Sequence, residues 1–412
     1  MSTILHKDAI IVGGGAAGCF LSIELARLCP EKSIAVLDAG DTTLKKVAIT
    51  GGGRCNLTNS FRDINSLKDA YPRGDKLMRK CLSRFSHEDT WKWFTSQGVA
   101  LTLQDDQCVF PVSQDAMQIV RTLQNLMRRR GVEVFSGKRV EKVTHEDGIF
   151  SVETVSGEKF TCDALAIAPG GVTPSILGMI SQLPVSIEKP VPSLFTFKCP
   201  DNELRSLMGT VVNASVAIAG TKFSASGPLL VTDWGMSGPS VLKLSSYAAR
   251  YLSENSYKCT VLVSWMDSSR EEVREVVGDL VLGNPKKQLR SVHPDCITSR
   301  LWQYILRKAQ LRDDILCSEL GSKGLNRLVE TLCADPVQVE GRAVFKEEFV
   351  TCGGVSLKDI DPATLSCRNL PGLFFAGEVL DVDAITGGFN LQAAWSTGYV
   401  AAGGMASFLK KG

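Results

Sequence analysis

The chain has 412 residues, too many for one ordinary domain and suited to two or three. With 44 % hydrophobic and 22 % charged residues it has the mixture of a globular protein with a sizeable core. A net charge of +2 with no long single-sign block gives no reason to expect nucleic acid or an anionic membrane surface as a partner.

In chain order, DAIIV (Asp8 to Val12) reads as a short buried strand and residues 16–28 as a helix. SIAVLDAG (Ser33 to Gly40) is a second strand ending in an acid. Together they form a βαβ unit and imply a parallel sheet. Asp8 and the glycines interrupt the apolar start, and no apolar run is long enough to cross a bilayer. A long loop follows through TGGGRCNLTN (Thr50 to Asn59). Helical patterns cover 74–97 and 113–130, the second with Ser113 as candidate N-cap. The cations of LMRRRG sit in its last turn, closed by Gly131.

VEVFSG (Val132 to Gly137) is a strand. From Arg139 the pattern gives three short antiparallel strands, joined by Glu-Asp-Gly and Ser-Gly-Glu turns, that feed a separate parallel strand, ALAIA. Prolines cluster in PVSIEKPVPSLF (Pro184 to Phe195) and mark a domain crossing. Strands then dominate to about Asp267, interrupted by one helix after SGPS, where Ser237 or Gly238 can cap and Pro239 suits the first turn. Amphipathic helices fill 268–340, and strand texture returns at RAVFKEEFVTCGGV (Arg342 to Val355). The expected organisation is an α/β cofactor domain split in sequence (1–190 and 341–412), with an inserted β-rich substrate domain (191–267) and a helical subdomain (268–340).

The 13 cysteines include no C-x-x-C pair, which argues against a zinc site or disulfide staples and for reduced thiols in the cytoplasm. His6, His87, His145 and His293 have no metal-ligand spacing, so no metal is expected. The chemistry-bearing signal lies in the glycines. Gly13, Gly15 and Gly18 form G-x-G-x-x-G after a strand and before a helix, and Asp38 closes the next strand 20 residues past Gly18. Gly13 permits the tight turn, Gly15 lets backbone approach a pyrophosphate, Gly18 allows close packing, and the helix N-terminus with Ala17 faces the anion. Asp38, followed by Ala39, would accept from ribose hydroxyls.

The choice between FAD and a nicotinamide cofactor turns on the far end of the chain. There GEVLDVDAITGGFNLQAAWSTG (Gly377 to Gly398) offers a second acid-containing turn and a glycine-lined helix start. FAD needs such an anchor because its flavin lies far from its adenine. Glu378 would hold the ribityl chain, and the helix after Gly387-Gly388 would aim N–H groups at the flavin's O2 side. Val140 would offer backbone to the adenine, and Gly170-Gly171 close the ALAIA strand on the same cofactor path. No second glycine fingerprint serves NAD(P)H, so a pyridine nucleotide, if it is the electron donor, would visit the flavin face directly.

The motifs GGGAAG, KKVAITGGGRCNLTN, CVFPVSQDA, TDWGMSGPSVLKLS, FVTCGGVSL and PGLFFAGEVLDVDAITGGFNLQAAWSTGYVAAG resemble, nearly end to end, the bacterial BaiN/YhiN-like flavoproteins, also called aminoacetone-oxidase-family FAD-binding enzymes. The resemblance implies an FAD domain of glutathione-reductase type and redox chemistry. Its members include NAD(P)H-dependent reductases of conjugated C=C bonds and amine oxidases that pass electrons to oxygen. It places Lys46, Arg54, Cys55 and Asn56 in the loop beside the flavin, and Glu378, Asp381, Asn390 and Leu391 along the ribityl chain and pyrimidine edge; in that loop the run with Gly52 and Gly53 permits close approach of backbone to a flat ring, and Gly388 opens the C-terminal helix. Asp233 stands where family members commonly carry a histidine. Arg54 and Asp233 are the candidates for catalysis, although Ser237 and Asp233 also fit a purely structural turn. A redox-silent Cys55 and a flavin-binding sensor without turnover are the bland alternatives.

Overall fold

The computed structural model describes residues 4–343 and 350–411, and the chain divides into two compact units, Met1–Val191 with Val350–Gly412, and Pro192–Phe349. In the first unit β1 (Leu5–Val12), α1 (Ala16–Leu28) and β2 (Ile34–Leu37) form the expected parallel βαβ. Next come α2 (Lys45–Gly53), β3 (Thr58–Asn59), α3 (Leu67–Ala70), α4 (Asp75–Leu82) and α5 (His87–Ser96). After these lie β4 (Leu101–Leu103), β5 (Cys108–Pro111), α6 (Ala116–Arg129), β6 (Glu133–Phe135), β7 (Val140–Glu146), β8 (Ile149–Thr154) and β9 (Lys159–Ile167).

The main sheet runs β6-β2-β1-β9-β8-β7, and the strand Leu373–Phe375 from the far end of the chain pairs in parallel with the second half of β9. The apolar runs of β1, β2 and the end of β9 are buried, as strands covered on both faces require. Helix α1 is apolar on nearly every side and buried from Ala17 to Ala26. Its one acid, Glu24, is buried but accepts from Trp93 Nε1 at 2.9 Å and from Arg27 Nε at 2.8 Å, so its charge is matched.

Local signals were less reliable than the overall pattern. The third antiparallel strand and ALAIA are one continuous strand, β9, whose first half pairs with β8. The 74–97 helix is two helices, because Ser86 forms a capping box with Asp89 and restarts the chain as α5. Asp115, not Ser113, caps α6: its carboxylate accepts from the Met117 N–H at 2.8 Å. Part of the glycine loop is the end of α2, bent at Thr50, Gly51 and Gly52. Residues 344–349 of the expected 342–355 strand lie outside the described residues.

The second unit has one antiparallel sheet of the strands Asp335–Val339, Cys259–Ser264, Val211–Ile218, Ser224–Thr232, Gly235–Ser237, Phe197–Lys198 and Gly341–Arg342, in that order. Its first and last members are separated in sequence only by Glu340, so the sheet closes on itself and leaves no open edge there. The helix after SGPS is Pro239–Tyr247; its N-cap is Gly238 rather than Ser237, which ends a strand. The strand-rich stretch shares one buried core with the helices Arg270–Leu282, Ser299–Lys308 and Gly321–Ala334, with Val263, Trp265, Val277, Trp302 and Leu328 all in it. Asp335 ties them: its buried carboxylate accepts from Trp265 Nε1 at 3.2 Å and Tyr304 O–H at 3.0 Å and pairs with Lys308 at 3.2 Å. Among the described residues, no helix is long and apolar enough to cross a membrane, and no group of side chains could hold a metal ion.

Candidate functional site

The N-terminal glycine turn is dictated by backbone proximity. Gly13 has φ 108, and a Cβ there would lie 2.3 Å from the Ala168 carbonyl oxygen. A Cβ on Gly18 would lie 1.9 Å from the Gly13 carbonyl oxygen, whereas one on Gly15 would meet nothing within 4 Å. Two glycines are therefore demanded by packing, and the third faces open space. Helix α1 starts after Gly15 without a side-chain cap or an acid in its first turn, which leaves its leading N–H groups for an anion. Asp38 Oδ2 accepts from Gly14 N–H at 2.6 Å and Oδ1 from Gly40 N–H at 2.7 Å. The acid expected at the ribose thus also fastens β2 to the glycine turn, and each oxygen keeps a second acceptor direction. The Gly137 and Lys138 N–H groups donate to the Gly40 and Asp38 carbonyls, both at 2.7 Å. This brings the segment leading to buried Val140 against the exposed Ala39 turn.

A second cluster forms around Glu378. Its Oε1 accepts from the Thr351 N–H at 2.8 Å and its Oε2 lies 3.3 Å from Lys46 Nζ. A Cβ on Gly171 would lie 2.5 Å from Thr351 Oγ1, and one on Gly170 would lie 3.6 Å from Glu378 Oε2 and 3.9 Å from Lys46 Nζ. Lys46, Gly170, Gly171 and Glu378, expected from separate segments, meet here, together with Thr351, which the sequence did not single out. The adjacent Gly377 (φ 78) joins this cluster to the first: a Cβ there would lie 2.7 Å from Ala17 Cβ, and its N–H donates to Thr397 Oγ1 at 2.9 Å.

The C-terminal helix, Phe389–Leu409, begins after Gly388 (φ 89), again with no side-chain cap and no acid in its first turn, where Leu391 is half-buried. A Cβ on Gly388 would lie 2.4 Å from the Thr58 carbonyl oxygen. The Asn56 amide, oriented by its neighbours, donates to that carbonyl at 3.0 Å and accepts from Gly388 N–H at 3.2 Å. Asn59 Nδ2 donates to the Gly387 carbonyl at 3.0 Å. The Asn390 side chain bonds locally. It accepts from Ala384 N–H at 3.0 Å and donates to the Ala384 carbonyl at 3.1 Å, bracketing the turn before the helix. The Asp381 N–H donates to the Val355 carbonyl at 3.0 Å.

In the glycine loop, Gly52 and Gly53 have φ 68 and 83 and open space where a Cβ would point. Arg54 Nε donates to the Gly51 carbonyl at 3.1 Å, and its guanidinium lies 4.4 Å over the Phe110 ring. Cys55 is fully buried with φ 62, and burial pushes its thiol up to about 12. It stays protonated near neutral pH and is no nucleophile. Brief iodoacetamide treatment of the native protein, read by peptide mass spectrometry, should label exposed Cys296 and spare Cys55.

Asp233 belongs to the second unit. It is exposed in a turn there, and its carbonyl accepts from Arg205 Nε at 2.5 Å. Besides Thr351, sequence reading missed Thr58, Asn59 and Gln392. Gln392 is fully buried, and its Oε1 accepts from the Thr58 and Thr90 hydroxyls at 2.6 and 2.9 Å. A glutamine in a helix made mainly of apolar and small residues was the available signal.

The two uncapped helix starts, with Gly377 against Ala17 between them, suit a long cofactor that carries negative charge at two places. A family model described as HI0933-like protein Rossmann domain matches residues 7–404. The 3-dehydro-bile acid delta(4,6)-reductase of Clostridium scindens is 28 % identical over 95 % of this chain and 97 % of its own. A ribosomal RNA dihydrouridine synthase of Haemophilus influenzae is 27 % identical over 96 % of this chain and 98 % of its own. Among solved structures, a quinol-fumarate reductase with menaquinol superposes with a TM-score of 0.52 at 14 % identity, covering 99 % of this chain and 72 % of that one. That likeness concerns the fold alone.

Proposed function

The chain belongs to the HI0933-like Rossmann family and is an FAD-dependent oxidoreductase, and we propose that it reduces a C=C bond conjugated with a carbonyl group, using NAD(P)H as electron donor. The observation that carries this reading is the chemistry common to its relatives. A 3-oxo-4,6-diene and the uracil ring of uridine both contain a C=C bond in conjugation with a carbonyl, and both relatives are named for saturating it. Bound FAD supplies two-electron chemistry, taking up hydride from a donor and delivering it to an acceptor carbon.

The protein's part is orientation and charge. The N–H groups opening α1, with Gly13, Gly15, Ala17 and Gly18, hold the pyrophosphate; Asp38 and Ala39 hold the ribose, and Val140 the adenine. Lys46, Gly170, Gly171, Glu378 and Asp381 line the ribityl chain. Gly52 and Gly53 let backbone approach the ring plane, with Cys55 packed beneath the same loop. Asn56, Gly388, Asn390 and Leu391 build the helix start that faces the pyrimidine edge. Arg54, held by Gly51 and Phe110, keeps a fixed cation where negative charge grows.

A small enone and a uracil in RNA are both substrates of this class, and the nearly equal identities to the two relatives favour neither. A net charge of only +2 speaks for the small molecule, while the second relative's name keeps ribosomal RNA as the alternative. The test is product mass after anaerobic incubation with NADPH and either a 3-oxo-4-ene steroid acid or an unmodified ribosomal RNA transcript. A gain of two hydrogen atoms in one of them supports the reading and identifies the substrate class. No gain in either, from protein whose flavin is reduced by NADPH, contradicts it.

A further inference from the structure

Residues 381–388 lead into the C-terminal helix and set where its first N–H groups point. One flank of this turn is fastened by Asn56 and Asn59, as described. The other is fastened by the turn between α3 and α4. Ile385 N–H donates to the Ala70 carbonyl at 2.9 Å, and Tyr71 O–H donates to the carbonyl of Phe389, the helix's first residue, at 3.0 Å. A Cβ on Gly74 would lie 2.5 Å from Val382 Cγ2, so the two segments are pressed together.

At the centre of this flank lies an ion pair. Asp383 is 1 % exposed, and the Arg73 side chain is 11 % exposed. Arg73 Nε donates to Asp383 Oδ1 at 2.6 Å, and its Nη2 bonds Oδ2, while the two backbones form an isolated antiparallel bridge. A planar fork on a carboxylate fixes both distance and angle, which a single lysine contact does not. A buried pair of this kind adds little to stability over an apolar replacement but specifies geometry.

We infer that Arg73 is a positioning residue for the flavin. Through Asp383 it fixes the 383–388 turn, and through that turn the N–H groups at the start of the C-terminal helix. The inference rests on the reading that this helix start faces the pyrimidine edge. It gives Arg73, in a segment that none of the motifs singled out covers, a role in setting flavin affinity and potential.

The experiment uses the purified holoprotein and measures two quantities: the FAD dissociation constant, by titrating stripped protein, and the flavin midpoint potential. Arg73→Met should weaken FAD binding by about tenfold or more and lower the potential, because the donors that stabilise negative charge lose their aim and Asp383 is left without its partner. Arg73→Lys should recover only part of the affinity. Asp383→Asn keeps one acceptor but sets an amide N–H against the second Arg73 donor, so the fork is lost and FAD binding should weaken in the same direction. If Arg73→Met does not fold, the double variant Arg73→Met/Asp383→Leu removes the fork without leaving an orphan charge, and the same losses are expected.

An unchanged dissociation constant and potential in the Arg73 variants, with only a lower melting temperature, would reduce the pair to a structural brace. Gly388→Ala separates this failure from that of the underlying reading, since it disturbs the helix start directly. If it shifts the potential and Arg73→Met does not, the inference about Arg73 is overturned and the helix-start reading stands. If neither shifts it, both are overturned.

Discussion

Gly13→Ala is expected to purify without bound flavin and to be destabilised by roughly 2–5 kcal/mol. Two penalties coincide at this position. The backbone has φ 108, which an L side chain rarely adopts, and the added Cβ would lie 2.3 Å from one carbonyl oxygen and 2.5 Å from Pro169 Cα. Neither obstacle is a flexible side chain that could swing away. Both belong to the segment closing β9, which hydrogen-bonds β1 through Ala168 N–H to the Val12 carbonyl. The turn must therefore move as a whole, and with it the N–H groups opening α1. Flavin absorbance of the purified protein and a urea titration of its unfolding check the two parts. A yellow Gly13→Ala protein of normal stability would show that the turn is looser than its packing indicates. Gly15→Ala is the informative companion, since its Cβ meets nothing within 4 Å. It should fold normally and lose cofactor affinity alone.

Gln392→Leu is expected to cost about 2–4 kcal/mol, as two buried hydroxyls lose their common acceptor. Thr58 and Thr90 both donate to Gln392 Oε1, while Gln392 Nε2 donates to Ser396 Oγ at 2.9 Å. The effect extends beyond stability. Thr58 belongs to β3, and its carbonyl accepts from Asn56 and touches the position of Gly388. When β3 loosens, the helix start loses one of its two flanks, so FAD affinity should fall together with the unfolding midpoint. Ser407→Ala, an exposed site on the same helix, should stay within about 0.5 kcal/mol of the parent. Equal effects of the two substitutions on the unfolding midpoint would refute the role assigned to the buried network.

Much of the cofactor-binding frame was legible in the sequence because its signals are local. The spacing of Gly13, Gly15 and Gly18 and the acid at Asp38 encode a turn whose demands lie within one βαβ unit. The return of αβ texture at the end of the chain was legible too, since LFF and the glycines before Phe389 keep the same periodicity as the start. What remained hidden depends on partners far apart in sequence. The local pattern divides β9 in two, because nothing local says that Leu373–Phe375 will pair with its second half while β8 pairs with its first. Ser113 reads as a cap as readily as Asp115 does, because both residue types suit that position and only the turn geometry separates them. Closure of the sheet in the second unit depends on Glu340 carrying one strand from the Cys259–Ser264 strand to Phe197–Lys198. The bond from Ala384 N–H to the Asn390 side chain is likewise invisible to spacing, although a side chain two positions into a helix can reach the turn that precedes it.

In the proposed function this protein takes hydride from a pyridine nucleotide and gives it to a conjugated C=C bond. This transfer is tested most directly by mixing the yellow protein with NADPH, and separately with NADH, under anaerobic stopped flow, and then adding an enone or an RNA acceptor before air. Rapid loss of flavin absorbance with one nucleotide, and its return faster with the acceptor than with oxygen, is the predicted result. A flavin that neither nucleotide bleaches, or that only oxygen reoxidises after reduction, would contradict it.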